Sequence, residues 1–312
     1  MDGVLIIDKP VGFTSHDVVA RIRRILKEKR VGHTGTLDPF ATGVLVVLVG
    51  RATRLAQFLN GADKEYEGVI RFGHATDTGD ATGAVRPGTE ATLGSSEFAR
   101  TWDESTIETA LENLRGEITQ VPPMYSAKKV GGRKLYELAR KGQEVERSPV
   151  NVTVREFEVR RINDAILTHN ADATCDMAVR VVCSAGTYVR TLAEDLGERL
   201  GIGAHLFSLR RTRAGDFKIS ESKTLEDLEQ YVSSNGDVGN ALLSLRSALP
   251  GMASTQLEDD VAQRVSHGAT VSSDERFLDG ELVQLCDTAG ELIAIGVYDF
   301  VRKSIRPRIV LV

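Results

Sequence analysis

The pattern of apolar and polar positions divides the chain into short strands and one-sided helices without a strict strand–helix–strand order. Residues 44–49 form a charge-free, β-branched run, which is typical of a fully buried strand or helix segment. Short apolar or alternating segments predict strands, and apolar residues three to four positions apart predict helices. The predicted strands are 3–8, 66–73, 150–162 and 175–183; the predicted helices are 15–26, 51–60, 101–115, a segment ending at 140, 189–200 and a segment from 225; a surface loop is predicted at 88–96.

The residues from 251 onward have a pattern of their own. A short helix is predicted at 257–265, and two apolar segments at 282–286 and 292–297 flank a Thr-Ala-Gly turn, which predicts a hairpin. A polar break at 233–236 precedes this region. We therefore predict a large domain over residues 1–232, a linker over 233–250 and a small β domain over 251–312.

Composition places the chain among soluble globular proteins. No apolar run approaches the roughly 18 residues of a membrane span, and the N-terminus lacks the basic segment and cleavage site of a signal peptide. The three cysteines are sparse and not in C-x-x-C spacing, so they are interpreted as reduced packing residues. We expect a cytoplasmic monomer that neither contacts a membrane nor needs a protein partner.

The net charge of −5 by itself argues against a nucleic-acid partner, but the charges are unevenly distributed along the chain. Residues 1–60 contain nine basic and five acidic side chains, and residues 124–147 contain seven basic and three acidic ones, whereas the acids are concentrated at 255–299. Two basic regions would supply phosphate contacts and make nucleic-acid binding depend on salt. The alternative is that they are solvated faces of no special function.

The most unusual stretch runs from Gly32 to Gly43 and reads GHTGTLDPFATG. Its glycines and proline predict a sharply bent backbone that presents one carboxylate, Asp38, beside the buried run at 44–49. It contains neither G-x-x-x-x-G-K-[ST] nor G-x-G-x-x-G, which disfavours a nucleotide-binding loop, and no clustered ligands, so no metal site is predicted. The alternative is a tight turn in which Asp38 is only a solvated or capping residue.

This string closely resembles the signature of the TruB family, the tRNA pseudouridine synthases that modify uridine 55 in the T loop. The resemblance identifies Asp38 as the catalytic nucleophile and Tyr66, 28 positions later in a K-x-Y motif, as a residue that packs on the target base and accepts a proton late in the reaction. By residue type alone, Tyr66 would be an ordinary core or edge residue of a strand. His33 is implied to hold the distorted T loop, or simply to brace the turn.

A second match begins at Ser184 and reads SAGTYVRTL. In several pseudouridine synthase families the arginine of this motif pairs with the catalytic aspartate and the tyrosine lies near the uridine, which assigns these roles to Arg190 and Tyr188. An arginine in a first helical turn is mildly opposed by the helix dipole, so a local anion partner is expected. Leu209 matches a substrate-contacting position of the family.

The resemblance implies an α+β fold with a mixed, mainly antiparallel central sheet flanked by helices, and a small PUA-like C-terminal β-domain. It implies no cofactor, because the isomerisation adds and removes no group. The basic segment at about 120–147, otherwise a linker, is similar to the family's insertion that orders on the tRNA T stem-loop. The expected RNA contacts are Lys9, Lys64, Lys128, Lys129, Arg133, Lys134, Arg210 and Arg211.

Two other functions remain open at this stage. The chain could be a non-catalytic module that binds tRNA and helps it fold, although the set of Asp38, Tyr66, Tyr188 and Arg190 argues for chemistry. It could also be a relative that modifies ribosomal RNA under the direction of a guide RNA. The terminal layout of the chain resembles the stand-alone bacterial enzymes instead.

Overall fold

The computed structural model describes residues 1–89, 102–126, 128–139, 141–143, 145–234, 236–275 and 277–311. The predicted loop at 88–96 and the predicted helix start at Thr101 fall largely outside these residues. No helix in the described part of the chain is long and apolar enough to cross a membrane.

The described strands form a ten-stranded sheet, a five-stranded sheet and a two-stranded ribbon. In chain order they are β1 (Gly3–Lys9), β2 (Val31–Thr34), β3 (Thr42–Val49), β4 (Lys64–Phe72), β5 (Gly116–Gln120), β6 (Lys129–Val130), β7 (Arg133–Lys134), β8 (Val150–Arg160), β9 (Thr168–His169), β10 (Cys175–Cys183), β11 (Ala204–Ala214), β12 (Phe217–Lys218), β13 (Ala253–Gln256), β14 (Val271–Ser272), β15 (Leu282–Cys286), β16 (Leu292–Asp299) and β17 (Ser304–Val310).

Seven α-helices are described: α1 (Ser15–Leu26), α2 (Ala56–Leu59), α3 (Glu104–Glu112), α4 (Leu135–Ala139), α5 (Val189–Arg199), α6 (Leu225–Ser233) and α7 (Asp259–Ser266). Short 3₁₀ helices are Gly50–Leu55, Ile219–Glu221 and Val238–Ala241. Helix α1 begins as predicted, because the Thr14 and Asp17 side chains cap each other's backbone N–H groups. Helix α3 is shorter than predicted, and its N-cap is Asp103, whose carboxylate accepts from Thr106 N.

The large sheet has the order β1-β3-β11-β4-β10-β8-β5, with β2 beside β3, β12 beside β11 and β9 beside β10. All of these pairs are antiparallel except β3 with β11, which run parallel. The predicted α+β fold with a mixed, mainly antiparallel central sheet is therefore confirmed.

The run at 44–49 is a strand, which resolves the strand-or-helix ambiguity. Val44, Val46 and Leu48 pack into one core cluster, whereas the residues between them pack into another. The first cluster includes residues of the five-stranded sheet, and the second includes apolar residues of α1 and α6. Because both faces of β3 are covered, the run is continuously apolar and lacks the apolar–polar alternation of a half-buried strand.

Strand β11 lies in the middle of the large sheet but was not predicted. Its sequence contains Arg210, Arg211 and Arg213, which hide the period-two pattern of a buried strand. Two of these charges are neutralised by carboxylates close in space, since Arg210 pairs with Asp8 and Arg213 with Glu65. The contacts that make these residues acceptable come from distant parts of the chain, and the sequence pattern does not reveal them.

The five-stranded sheet has the order β13-β15-β16-β17-β14 and forms a separate C-terminal β domain. The predicted hairpin is confirmed as β15 and β16, and the predicted helix is α7. Ahead of this domain, Leu243 makes an isolated bridge with Val4 of the large sheet. The chain therefore leaves the large sheet between residue 243 and the start of β13.

Candidate active site

The glycine-rich stretch is a loop that joins the antiparallel neighbours β2 and β3. Gly43 has a φ of +101°, and a Cβ added there would lie 2.2 Å from the carbonyl oxygen of Arg211. This position therefore requires glycine, both for its left-handed backbone and because β11 passes so close. The loop consequently starts from a fixed point on the central sheet.

Two side chains from the first elements hold the middle of this loop. The Ser15 hydroxyl accepts from Leu37 N at 2.9 Å and donates to Leu37 O at 3.2 Å. The fully buried Lys9 ammonium donates to Phe13 O at 2.7 Å and to Pro39 O at 3.3 Å. The residues on both sides of Asp38 are thus fixed by direct hydrogen bonds.

Arg190 lies within hydrogen-bond distance of four groups around the loop. Its Nε is 2.9 Å from Asp38 Oδ2, and its Nη1 is 3.4 Å from Asp80 Oδ2. Nη1 also donates to Thr78 O, and Nη2 donates to Tyr125 O, both at 2.7 Å. The anion partner that the sequence predicted for Arg190 is therefore a pair of carboxylates, and the guanidinium bridges them.

Asp80 is the member of this group to which sequence analysis assigned no role. Its Oδ2 faces Arg190, while Oδ1 accepts from the hydroxyls of Thr78 and Thr82 at 2.9 and 2.6 Å. The two threonines that flank it were the available signal, because they satisfy the second oxygen of a carboxylate that is almost fully buried.

The Asp38 carboxylate lies at the edge of the cleft, with 35% of its side chain exposed. Burial raises its pKa above the ordinary value, Arg190 opposes this rise, and Asp80 adds to it. The net direction is upward, because the effects of burial and of Asp80 exceed the opposing effect of Arg190.

All six predicted catalytic and substrate-binding residues line one cavity of about 480 Å³. They come from β2, the loop that follows it, β4, the start of α5 and β11, and they are His33, Asp38, Tyr66, Tyr188, Arg190 and Leu209. Residues from five separate places in the sequence therefore converge on one cleft. It is open to solvent and polar on one wall, where the carboxylate lies.

Tyr66 stands opposite Arg211 in the pairing of β4 with β11, and it is buried. Burial raises the pKa of its phenol, whereas the positive charge of Arg211 lowers it. Arg211 donates to Val44 O at 2.6 Å and to Gly35 O at 3.0 Å. It therefore connects both ends of the loop that carries Asp38, a bracing role that sequence analysis missed.

His33 lies at the mouth of the cleft beside the exposed ring of His16, with 5.6 Å between the ring centroids. Burial, together with the neighbouring His16 and Arg211, lowers the His33 pKa to about 4. Its Nδ1 atom is buried and has no hydrogen-bond partner among the described residues. The ring is consequently neutral at pH 7 and keeps one polar atom free.

The eight basic residues expected to contact RNA lie in different environments. Lys9, Lys64 and Arg211 are buried rather than exposed, because their charged groups serve backbone carbonyl oxygens. Lys64 and Arg211 line the cleft, and the RNA contacts of all three residues stay a prediction. Arg133 is exposed and Lys128 and Arg210 partly so, while the backbones of Lys129 and Lys134 pair across the β6–β7 ribbon.

Sequence comparison matches most of the chain to two family models. Residues 23–189 match the TruB family pseudouridylate synthase N-terminal domain, and residues 190–252 match the tRNA pseudouridylate synthase B C-terminal domain. Proteins named tRNA pseudouridine synthase B are 45% identical in Geobacillus thermodenitrificans, covering 86% of this chain and 85% of the relative, and 42% identical in Solibacter usitatus, covering 95% of each.

Solved structures with the same fold include a Cbf5-Nop10-Gar1 complex, with a TM-score of 0.70 and 29% identity over 99% of this chain and 85% of that one. An H/ACA RNP bound to a substrate RNA containing 2′-deoxyuridine gives a TM-score of 0.69 and 27% identity, with the same coverage of both chains. The boundary between the two family models lies between Val189 and Arg190, inside the cleft, so it does not mark a structural domain boundary.

Proposed function

This chain belongs to the TruB family of pseudouridylate synthases, and we propose that it converts uridine 55 in the T loop of tRNA to pseudouridine with Asp38 as its nucleophile. The observation that carries the proposal is the cleft in which Arg190 holds Asp38 beside Tyr66, Tyr188 and Leu209. The named relatives, which share most of their length with this chain, support tRNA as the substrate.

The reaction requires one nucleophile and no added group. The C1′–N1 bond breaks, the uracil turns, and a C1′–C5 bond forms; N1 gains a proton and C5 loses one. A carboxylate suits this chemistry because it attacks as an anion and can leave again. Arg190 supports the ionised form of Asp38, and the fixed backbone on both sides holds the carboxylate in the attacking position.

The apolar and aromatic wall of the cleft supports a base flipped out of the T loop. Extruding a stacked base costs a few kcal/mol, and stacking on one aromatic ring returns about 1–3 kcal/mol. Tyr66 provides the ring and Leu209 the apolar contact. The neutral ring of His33, which also lines the cleft, suits the vacated place in the loop.

Tyr66 also suits the late proton transfer from C5, with one condition. Because burial keeps its phenol protonated at neutral pH, the tyrosine must first pass its own proton on, with N1 of the detached uracil as the acceptor, and then accept the proton that C5 loses. Arg211 is the group that would stabilise the phenolate, since its positive charge lowers the pKa of the phenol. We propose that these two residues act together in this step.

The decisive experiment uses the purified chain and one unmodified T stem-loop. We expect one pseudouridine at position 55, and none with Asp38→Asn, which removes the nucleophile but keeps an oxygen for Arg190. Because folding raises the pKa of Asp38, the ionised form of this carboxylate does not stabilise the folded state. The neutral asparagine is therefore not expected to destabilise the fold. The matched control is Asp216→Asn, an exposed carboxylate in the turn between β11 and β12, which should leave turnover unchanged.

The same experiment separates the other two functions. A folding module would bind the stem-loop without forming product, and product from the Asp38→Asn variant would remove the nucleophile assignment. A guide-dependent enzyme is the second candidate, because the chain shares its fold with the Cbf5 and H/ACA structures. Product formed by the chain alone, without guide RNA or added protein, would favour the stand-alone enzyme.

A further inference from the structure

We propose that Gln120 is a positioning residue that fixes the start of α5, and through it Tyr188 and Arg190, for the reaction in the cleft. The inference rests on the proposed function. Gln120 is the last residue of β5 and is almost completely buried. Nothing in the family resemblance assigned it a role, and it does not line the cleft.

The amide of Gln120 holds the backbone of Tyr188 at two points. Its Oε1 accepts from Tyr188 N at 3.0 Å, and its Nε2 donates to Tyr188 O at 3.2 Å. This pair of bonds is what a neighbouring strand would supply. Two roughly parallel hydrogen bonds fix the direction of a peptide group as well as its position.

Helix α5 depends on this contact because it has no side-chain cap of its own. Tyr188 is its N-cap residue, and its side chain makes no capping hydrogen bond. The second residue of the helix is Arg190, which reaches Asp38 and Asp80. A shift at the N-cap therefore moves the guanidinium that bridges both carboxylates.

Gln120 also sits where the basic segment leaves the sheet. It is paired with Val150 at the start of β8, so residues 121–149 form an excursion closed at its root by the β5–β8 ladder. Within this excursion, Tyr125 O accepts from Arg190 Nη2 at 2.7 Å. Three hydrogen bonds therefore connect this segment and the end of β5 to the start of α5: two from Gln120 to Tyr188 and one from Arg190 to Tyr125.

The test is Gln120→Met, which keeps the length of the side chain and removes both hydrogen bonds. We expect the single-turnover rate at saturating T stem-loop to fall about 10- to 100-fold, because small misplacements of catalytic groups have effects of this size. The dissociation constant for the RNA should stay within about threefold, because Gln120 does not line the cleft. An unchanged rate with a folded variant would overturn the proposal.

Gln284→Met is the matched control. Gln284 is also buried on a strand, and its amide donates to Leu249 O at 3.0 Å and Met252 O at 3.3 Å. It belongs to the five-stranded sheet, none of whose described residues lines the cleft. If both variants lose equal activity in proportion to lost folded protein, the role of Gln120 is structural only and the proposal fails.

Gln120→Glu provides a second readout that does not depend on the methionine variant folding. The ionised glutamate can accept from Tyr188 N but repels Tyr188 O, whereas the protonated acid can donate to it. Burial raises the pKa of such a carboxyl, so the rate relative to the unmodified chain should rise as the pH falls. A ratio independent of pH would contradict the proposal.

If the unmodified chain makes no pseudouridine, the proposed function fails, and the positioning role fails with it because it rests on that function. If the unmodified chain is active and the Gln120 variants match it, the function stands and only the positioning role is lost.

Discussion

At the scale of single residues, the cleft depends on how one arginine is divided between two carboxylates. Arg190 contacts Asp38 and Asp80 with different nitrogen atoms, and its remaining donor goes to a backbone carbonyl of the basic segment. Burial raises the pKa of Asp38, and the nearby Asp80 adds to this rise against the effect of Arg190. The carboxylate is therefore easier to protonate and, as an anion, more basic.

The pH dependence of turnover should report this balance. Asp38 must be ionised to attack, so the single-turnover rate should fall as the pH drops through its pKa, with a midpoint above the ordinary aspartate value. In Arg190→Lys the acid limb should move further upward, because an ammonium cannot bridge both carboxylates as the planar guanidinium does. Rates from about pH 4 to about pH 8 test this. A midpoint below the ordinary value would contradict it.

At the scale of elements, β11 decides where the cleft can form. It passes beside Gly43 on one side and pairs with β4 on the other, so Leu209 and Arg211 reach the cleft from the middle of the sheet. Arg211 is therefore an internal support of the loop that carries Asp38. The family resemblance assigned Arg211 only a contact with RNA.

Substitution of Gly43 should show how closely these two elements approach. Gly43→Ala puts a methyl group at a left-handed position against the backbone of Arg211, and strain of this kind costs about 1–3 kcal/mol, with the close contact adding to it. Urea unfolding should show the loss. Gly61→Ala is the control, because nothing lies within 4 Å of its added Cβ. Equal stability of the two variants would contradict the close approach.

The residues that carry local patterns could be predicted from the sequence, and those defined by long-range contacts could not. The stripe of α1 and the β15–β16 hairpin follow from spacing and turn residues alone. The grouping of Asp38 with Tyr66 and Arg190 came from the family resemblance. Asp80 and Gln120 were missed because only the folded chain shows which atoms their side chains meet.

At the scale of the whole molecule, the charges of this net acidic chain are unevenly distributed. The excursion from β5 to β8 presents the exposed Arg133 and the partly exposed Lys128, whereas the acids are concentrated in the C-terminal domain. This arrangement favours long-range attraction of phosphate groups to the basic segment. The net negative charge of the chain favours solubility.

Removing two of these charges should weaken binding without affecting chemistry. In Lys128→Ala with Arg133→Ala, the T stem-loop affinity should fall, and the slope of log K against log salt should become shallower by about 1–2. The single-turnover rate at saturating RNA should remain near that of the unmodified chain. Lys218→Ala, an exposed charge on β12 that does not line the cleft, is the control. A steeper or unchanged slope would show that the two charges do not contact phosphate.

The double-sided burial of β3 has a consequence for how the protein comes apart. Because Val44, Val46 and Leu48 pack in one cluster with residues of the C-terminal sheet, the two domains are joined by an apolar interface on one face of β3. We therefore expect a single cooperative thermal transition, and a calorimetric enthalpy equal to the van't Hoff value. A chain ending at residue 250 should expose this strand and aggregate. The loop that carries Asp38 should therefore unfold only when the whole protein unfolds.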